Sequence, residues 1–314
     1  MGYAVVLGEA LVDLLEADLG GELVYRQAIG GAPLNVAVGA TRLGADVRYV
    51  GALSTDVMGE RLVAFLCDAE VGLDGIKRVA APTTLAVTTF QGAEPTFTFY
   101  GEPPSYALLH PSDIDTATVE NASVLYAGSI SLLREPFLSA ARHAWRIEGP
   151  IKVFDPNVRP TLLPDAGAVT DLRDLVEEFF ATADLVKLSS ADAAVLYDGA
   201  DPATAAGHIR KLGARAVVVT CGATGAYVAA DGTEMIPAPR VEAVDATGAG
   251  DSVMGALVRR LLADGFPADL AGWHKNVRYA LAVAGLVVER RGGAIAMPSE
   301  EELAARWPNL VPAR

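Results

Sequence analysis

The sequence predicts an α/β fold with a mostly parallel sheet covered by helices on both faces, and three observations carry the prediction. Compact apolar runs of strand length alternate with helix-length segments along the chain. The runs are apolar throughout, as strands buried on both faces are, rather than alternating with polar residues. Two β-rich stretches, residues 11–27 and 84–100, have no helix between their strands and break that rhythm.

In chain order, strands are expected at 3–7, 47–53, 124–127, 151–154, 185–188 and 216–220. Helices are expected between them at 33–43, 59–68, 135–146, 168–180 and 202–212. Pro33 suits a first helical turn, where its missing N–H costs nothing, and Gly44 follows the last apolar position of the same helix. The run Thr96-Phe97-Thr98-Phe99-Tyr100 is β-branched and aromatic throughout. We read the two departing stretches, inserted at about 11–27 and 84–102, as a small β-sheet lid over the site. No repeat, low-complexity tract or linker divides the chain, so 1–314 reads as a single domain. Residues 298–314 read as a short helix and a tail.

The 314 residues are enough to bury a core without staples, and 51% hydrophobic with 20% charged is globular composition. The net charge of -14 argues against a nucleic-acid partner, which draws on surplus Lys and Arg. Cys67 and Cys221 show no pairing pattern and read as reduced thiols. The four histidines are scattered, with no zinc-ligand spacing. Residues 1–15 lack a basic leader and are broken by Glu9 and Asp13, and tracts such as 216–230 are too short to cross a bilayer. A cytoplasmic protein with no membrane partner is expected.

The chemistry concentrates in Asp245-Ala246-Thr247-Gly248-Ala249-Gly250-Asp251, followed by a helical pattern over 252–262. Glycines two apart let successive backbone N–H groups converge as an anion-binding nest, and the helix dipole adds to it. A carboxylate at the mouth of a pure phosphate cradle would repel the anion. It makes sense if Asp251 faces the acceptor and takes the proton of a hydroxyl as a phosphoryl group transfers. From residue types alone the alternative stays open that Asp251 is a helix N-cap and the glycines serve a turn. Neither a P-loop motif nor a dinucleotide fingerprint is present, since the first strand leads into Leu7-Gly8-Glu9-Ala10.

Residues 245–256 resemble the C-terminal signature of the ribokinase-like (PfkB) carbohydrate kinases. The N-terminal signature is matched by Gly30-Gly31-Ala32-Pro33-Leu34-Asn35, continuing through Gly44, Gly51 and Asp56-x-x-Gly59. The resemblance covers essentially the whole chain. It implies a three-layer α/β/α core with a β lid, and transfer of the γ-phosphoryl of ATP, with Mg2+, to a sugar hydroxyl. It makes Asp251 the base and the amides of Gly248, Ala249 and Gly250 the anion hole. Asp245 and Thr247 stand where relatives often bind a monovalent cation, K+ for instance.

The resemblance places sugar-binding positions at Asp13, Gly30, Gly31 and Asn35; a carboxylate and a carboxamide can each bridge neighbouring hydroxyls. Asp155-Pro156-Asn157-Val158-Arg159 ends an apolar strand, where open α/β sheets place ligands. That segment is similar to those of fructokinases and 2-keto-3-deoxygluconate kinases, making Asn157 and Arg159 substrate candidates. Residues 8–13, 128–132 and Glu135-Pro136 resemble fructokinases more closely. Phe97, Phe99 and Tyr100 would lie on the lid, where alternate side chains face the sugar, with core packing the alternative for any one of them.

On the nucleotide side, Lys187 and Ser189 and the loop residues Thr220, Gly222 and Gly225 are expected contacts, with Ala280 and Ala284 of a late helix at 277–288 walling the adenine. Ser189 and Asp192 replace the family's Asn and Glu, with Asp192 ordering Mg2+ through water. The expected function is therefore an ATP-dependent sugar kinase, fructokinase first. A ketodeoxygluconate, ribose or nucleoside kinase stays open, as does an inactive sugar-binding protein on the same fold. A homodimer formed through the lid is also expected.

Overall fold

A computed structural model describes residues 2–91 and 94–310, the side chains of 90–97 excepted. Strands run β1 (Ala4–Leu7), β2 (Leu11–Leu19), β3 (Glu22–Gly30), β4 (Val47–Ser54), β5 (Gly72–Val79), β6 (Leu85–Gln91), β7 (Glu94–Tyr100), β8 (Val124–Gly128), β9 (Ile151–Asp155), β10 (Leu185–Ser189), β11 (Ala216–Thr220), β12 (Ala226–Ala230) and β13 (Gly232–Ile236). Helices run α1 (Ala32–Arg42), α2 (Val57–Asp68), α3 (Thr116–Glu120), α4 (Phe137–Arg146), α5 (Ala166–Phe180), α6 (Ser190–Leu196), α7 (Pro202–Leu212), α8 (Ala249–Asp264), α9 (Leu270–Val288) and α10 (Glu300–Arg306).

The central sheet has nine strands in the order β13-β12-β11-β10-β9-β8-β1-β4-β5. Pairings from β11 through β5 are parallel, and β12 and β13 close one edge antiparallel. Successive strand residues feed opposite layers, as the pleat demands. Val6, Tyr126 and Leu185 pack with α1, α2, α8 and α9, while Leu7, Leu125 and Val186 pack with α4 to α7. Burial on both faces is why the strands read as uninterrupted apolar runs. The expected three-layer α/β/α architecture and the mostly parallel sheet are both present.

Local signals set the helix ends. Asp56, Asp165, Asp201 and Asp269 each cap a helix by accepting first-turn N–H groups. Truncating any of them to Ala costs about 1 kcal/mol. Three strands lay outside the sequence expectation. β5 is an edge strand whose Gly72 and Gly75 lie against Val47, Arg48, Tyr49 and Val50, so small residues replaced the apolar run that marks a strand. The hairpin β12–β13 turns at Asp231-Gly232, with Gly232 at φ 112; this dipeptide is itself a hairpin signal.

The lid is a separate four-stranded sheet, β3-β2-β6-β7. Gly20 and Gly21, at φ 68 and 90, turn the β2–β3 hairpin, and that hairpin continues to Gly30 at the mouth of α1. The lid is fastened at its base by Asp56. Its carboxylate accepts from the N–H of Gly59 (2.7 Å), the N–H of Thr83 (2.8 Å) and the Thr83 hydroxyl (2.7 Å). Burial opposes the charge, but these hydrogen bonds outweigh it and hold the carboxyl at about 2. Gly59 is required there, because a Cβ would lie 2.0 Å from the Ser54 carbonyl oxygen.

Candidate functional site

The site forms where α8 begins, beneath the lid and at the carboxyl ends of β1, β8, β9 and β10, the crevice expected of an open α/β sheet. The N-cap of α8 is Gly248 in the left-handed conformation (φ 78, ψ 0), so Asp251 lies inside the first turn and caps nothing. That removes the N-cap alternative. Gly248 must be glycine twice over, since a Cβ would also stand 3.0 Å from Gly293 Cα.

Asp251 is buried, at 7% exposure, and its two oxygens are held by two carboxamides. Asn35 Nδ2 of α1 donates to Oδ2 at 2.7 Å, and Asn157 Nδ2 donates to Oδ1 at 3.3 Å. The Asn35 Nδ2 must face the carboxylate, because a carbonyl oxygen there would be repelled. Asn35 Oδ1 is therefore left pointing elsewhere, buried and without a partner. An unpaired buried acceptor costs free energy unless something donates to it. Asn157 reaches Asp251 from a strained backbone (φ 41) that Asn tolerates better than most residues.

The loop carrying Asn157 is fixed at several points. Phe154, just before it, stacks on Phe179 at 4.9 Å and meets the edges of Trp145 and Phe180. Asp155 is fully buried and accepts from Lys187 Nζ at 2.8 Å and from the N–H of Asn157 at 3.0 Å. Burial pushes the Asp155 carboxyl up to about 6 against the pull of Lys187. Val158 N–H donates to Asp192 Oδ1 at 3.0 Å, tying this loop to the first turn of α6.

Asp13 of β2 approaches from the lid side, with Arg159 and Asp251 close enough to perturb it. Burial raises its carboxyl to about 6, the Asp251 charge adds to the rise, and Arg159 opposes it. Gly30 leaves room for it, since a Cβ there would lie 2.1 Å from Asp13 Oδ2. Gly31 has φ 104, and a Cβ would come 2.7 Å from the Glu9 carbonyl oxygen, so no side chain fits. Asp13, Gly30, Asn35, Asn157, Arg159 and Asp251 thus lie together.

Other expected residues sit differently. Asp13, Ala86 and Phe99 share one row across β2, β6 and β7, whereas Tyr100 falls in the row of Leu85 and Val12. Tyr100 is therefore on the opposite lid face, 56% exposed, and Phe99 is the aromatic on the Asp13 side. The side chain of Phe97 lies outside the described residues. In the anion turn, Gly248 and Gly250 have N–H groups with no intrahelical acceptor, but Ala249 N–H already donates to Ala246 O at 3.1 Å.

On the nucleotide side, Ala280 is fully buried in the core and faces no site, while Ala284 keeps partial exposure. Gly222 (φ 55) is open, with nothing near its Cβ direction, and Thr220 is half-buried beside it. Gly225 serves packing instead, because a Cβ would meet Ile236 O at 1.9 Å. Ser189 and Asp192 form a capping box: Ser189 N–H donates to Asp192 Oδ2 (2.8 Å) and Asp192 N–H to Ser189 Oγ (3.0 Å). Both oxygens of Asp192 thus already accept backbone N–H groups. Asp245 is likewise engaged, accepting from Thr247 N–H and hydroxyl and from Gly292 N–H at 3.0 Å. Among the described residues no cluster of three or more His, Cys, Asp or Glu could cage a metal. The donor set instead fits a magnesium ion carried chiefly by phosphate and water oxygens, the usual manner of Mg2+ at nucleotide sites.

One residue escaped the sequence reading of the site: Asp155, signalled only as a carboxylate ending a parallel strand; of the lid aromatics, register alone separates Phe99 from Tyr100.

Residues 1–300 match the profile described as pfkB family carbohydrate kinase. Fructokinase of Klebsiella pneumoniae is 35% identical over 312 residues, covering 96% of this chain and 98% of that protein. The crystal structure of Xylella fastidiosa fructokinase with bound ATP superposes with a TM-score of 0.88 at 29% identity, covering 96% of this chain and 97% of that one. That of Vibrio cholerae O395 fructokinase, in its fructose, ADP and calcium ion bound form, gives 0.85 at 27%, covering 97% and 98%. No described helix is long and apolar enough to cross a membrane.

Proposed function

The chain belongs to the pfkB family of carbohydrate kinases, and from that premise we propose that it transfers the γ-phosphoryl group of ATP to a hydroxyl of fructose, with Asp251 as general base. The observation that carries this reading is the placement of Asp251: a buried carboxylate, gripped by two carboxamides, at the mouth of a glycine turn that opens a helix. The grip aims one carboxylate at the acceptor hydroxyl and keeps it from drifting toward the phosphate. The N–H groups of Gly248 and Gly250 would meet charge on the transferring group. Asn35 Oδ1, unpaired and buried, would accept a hydrogen bond from a sugar hydroxyl, and Asp13 would bridge two neighbouring hydroxyls. Magnesium arriving with ATP would neutralise phosphate charge. A monovalent cation such as K+ beside Asp245 and Thr247 would use the remaining lone pair of Asp245 Oδ2, which accepts only the N–H of Gly292, while Oδ1 accepts both the N–H and the hydroxyl of Thr247.

Fructose is favoured because relatives and neighbours named fructokinase match over nearly the whole chain. A half-buried pocket wall of carboxamides and carboxylates also suits a polyol better than an aromatic base. Thr220, Gly222 and Lys187 would contact the nucleotide. We further propose a cytoplasmic enzyme, and a homodimer whose lids pair through the side bearing exposed Leu23 and Tyr25. The mass in solution tests the dimer, and a monomer contradicts it. For the substrate, a coupled ADP-release assay with Mg-ATP is run across fructose, ketodeoxygluconate, ribose, adenosine and glucose. The expected result is the highest kcat/KM on fructose. Faster turnover of another acceptor overturns that assignment, and turnover of none supports a silent sugar-binding protein.

A further inference from the structure

Lys187 is an ammonium in an apolar layer. On β10 it faces the same side as Leu185, toward α8, and its side chain is 4% exposed. Its one hydrogen bond goes to Asp155 Oδ2. A lysine ammonium carries three donors, so two remain without a protein partner in a place where unpaired donors are costly. Its tip stands at the first turn of α8: a Cβ built on Gly250 would lie 3.0 Å from Nζ. That is the positive end of a helix dipole, where a cation is disfavoured and an anion welcome. A methionine would fill the same space without these costs. Asp155, Asp251 and Asp192 all surround the ammonium, and their combined field outweighs burial and raises its pKa, so it stays charged.

We propose that Lys187 is a catalytic residue, donating its free N–H groups to an oxygen of the phosphoryl group in transit at the Gly248–Gly250 turn, with Asp155 as its positioning residue. This rests on the kinase reading above and deepens it. In the step, the acceptor oxygen forms its bond to Pγ while the bond from Pγ to the β–γ bridging oxygen breaks. ADP departs with that electron pair, the hydroxyl proton passes to Asp251, and Lys187 keeps its protons throughout. A cation fixed beside both N–H groups adds charge where the transition state spreads it over the equatorial oxygens. The same Asp155 that holds Lys187 also receives the N–H of Asn157, so the cation and the base are set by one loop.

The test compares Lys187→Met with the double variant Lys187→Met/Asp155→Asn, using kcat on fructose and Mg-ATP. The single variant leaves a carboxylate buried and unpaired and is liable to misfold, whereas the double variant removes both charges together. The expected result is a loss of about 100- to 1,000-fold in kcat for the double variant, with KM for the sugar little changed. Calorimetry adds a second readout. MgADP with fructose should bind the double variant as it binds the parent, while the tightening produced by added aluminium fluoride should disappear. Recovery of parental kcat in the double variant overturns the proposal, because Lys187 would then only neutralise Asp155. Asp251→Asn run alongside separates the two claims: an active Asp251→Asn defeats the base assignment, whatever Lys187 does.

Discussion

Replacing Asn35 with Ala removes one side chain and acts on both halves of the reaction. The carboxamide donates to Asp251 at 2.7 Å and is 6% exposed, so water does not readily replace it. A hydrogen bond to a charged group contributes about 1.5–3 kcal/mol, and 1.4 kcal/mol is a factor of ten. If the bond serves to aim the base, its loss appears in the barrier as about a 10- to 150-fold fall in kcat. The same truncation deletes Oδ1, the unpaired acceptor proposed to meet the sugar, a neutral contact contributing about 0.5–1.5 kcal/mol. KM for fructose should then rise by about 2- to 12-fold. The assay is steady-state ADP release, with the affinity for MgADP confirming that the nucleotide side is intact. An Asn35→Ala enzyme with kcat within about twofold of the parent, while Asp251→Asn is dead, refutes the idea that the carboxamide aims the base.

Asp13 should impose a pH limb on sugar binding. Its carboxyl is held near 6, so it is ionised above that value and loses its acceptor strength as pH falls through it. KM for fructose should climb below about pH 6, and Asp13→Asn should show a higher KM with no such bend; a bend that survives the substitution assigns it elsewhere, Asp155 being the other carboxyl near 6. Gly225→Ala places a Cβ 1.9 Å from Ile236 O at φ 120. Backbone strain alone costs about 1–3 kcal/mol, enough to lower Tm by about 2–5 °C, and an unchanged Tm in a thermal melt contradicts the packing role given to this glycine.

Much of this was legible in the chain. Strands buried on both faces leave uninterrupted apolar runs, which is why β1, β4 and β8 to β11 could be placed from sequence. β5 could not, because its Gly72 and Gly75 answer to close neighbours rather than to hydrophobic burial. The glycine turn before α8 announced itself through Gly248 and Gly250, since only glycine reaches φ 78 there without strain. What the sequence withheld is where each polar atom's hydrogen bond goes. Asp192 was expected to order magnesium through water; that its oxygens also accept from Val158 and Ser189 is a partner set that long-range packing alone decides. Ala280 and Tyr100 failed for a related reason: one helical or strand position more or less turns a side chain from the site into the core or out to solvent.

Asp251→Asn keeps the shape of the side chain and removes the carboxylate that receives the proton. Its turnover with Mg-ATP and fructose, set beside its calorimetric affinity for fructose, is the most direct measurement of the central claim. A general base contributes about 100- to 10,000-fold, so kcat should fall by that much while fructose still binds. Retention of more than about a tenth of parental kcat contradicts Asp251 as the base.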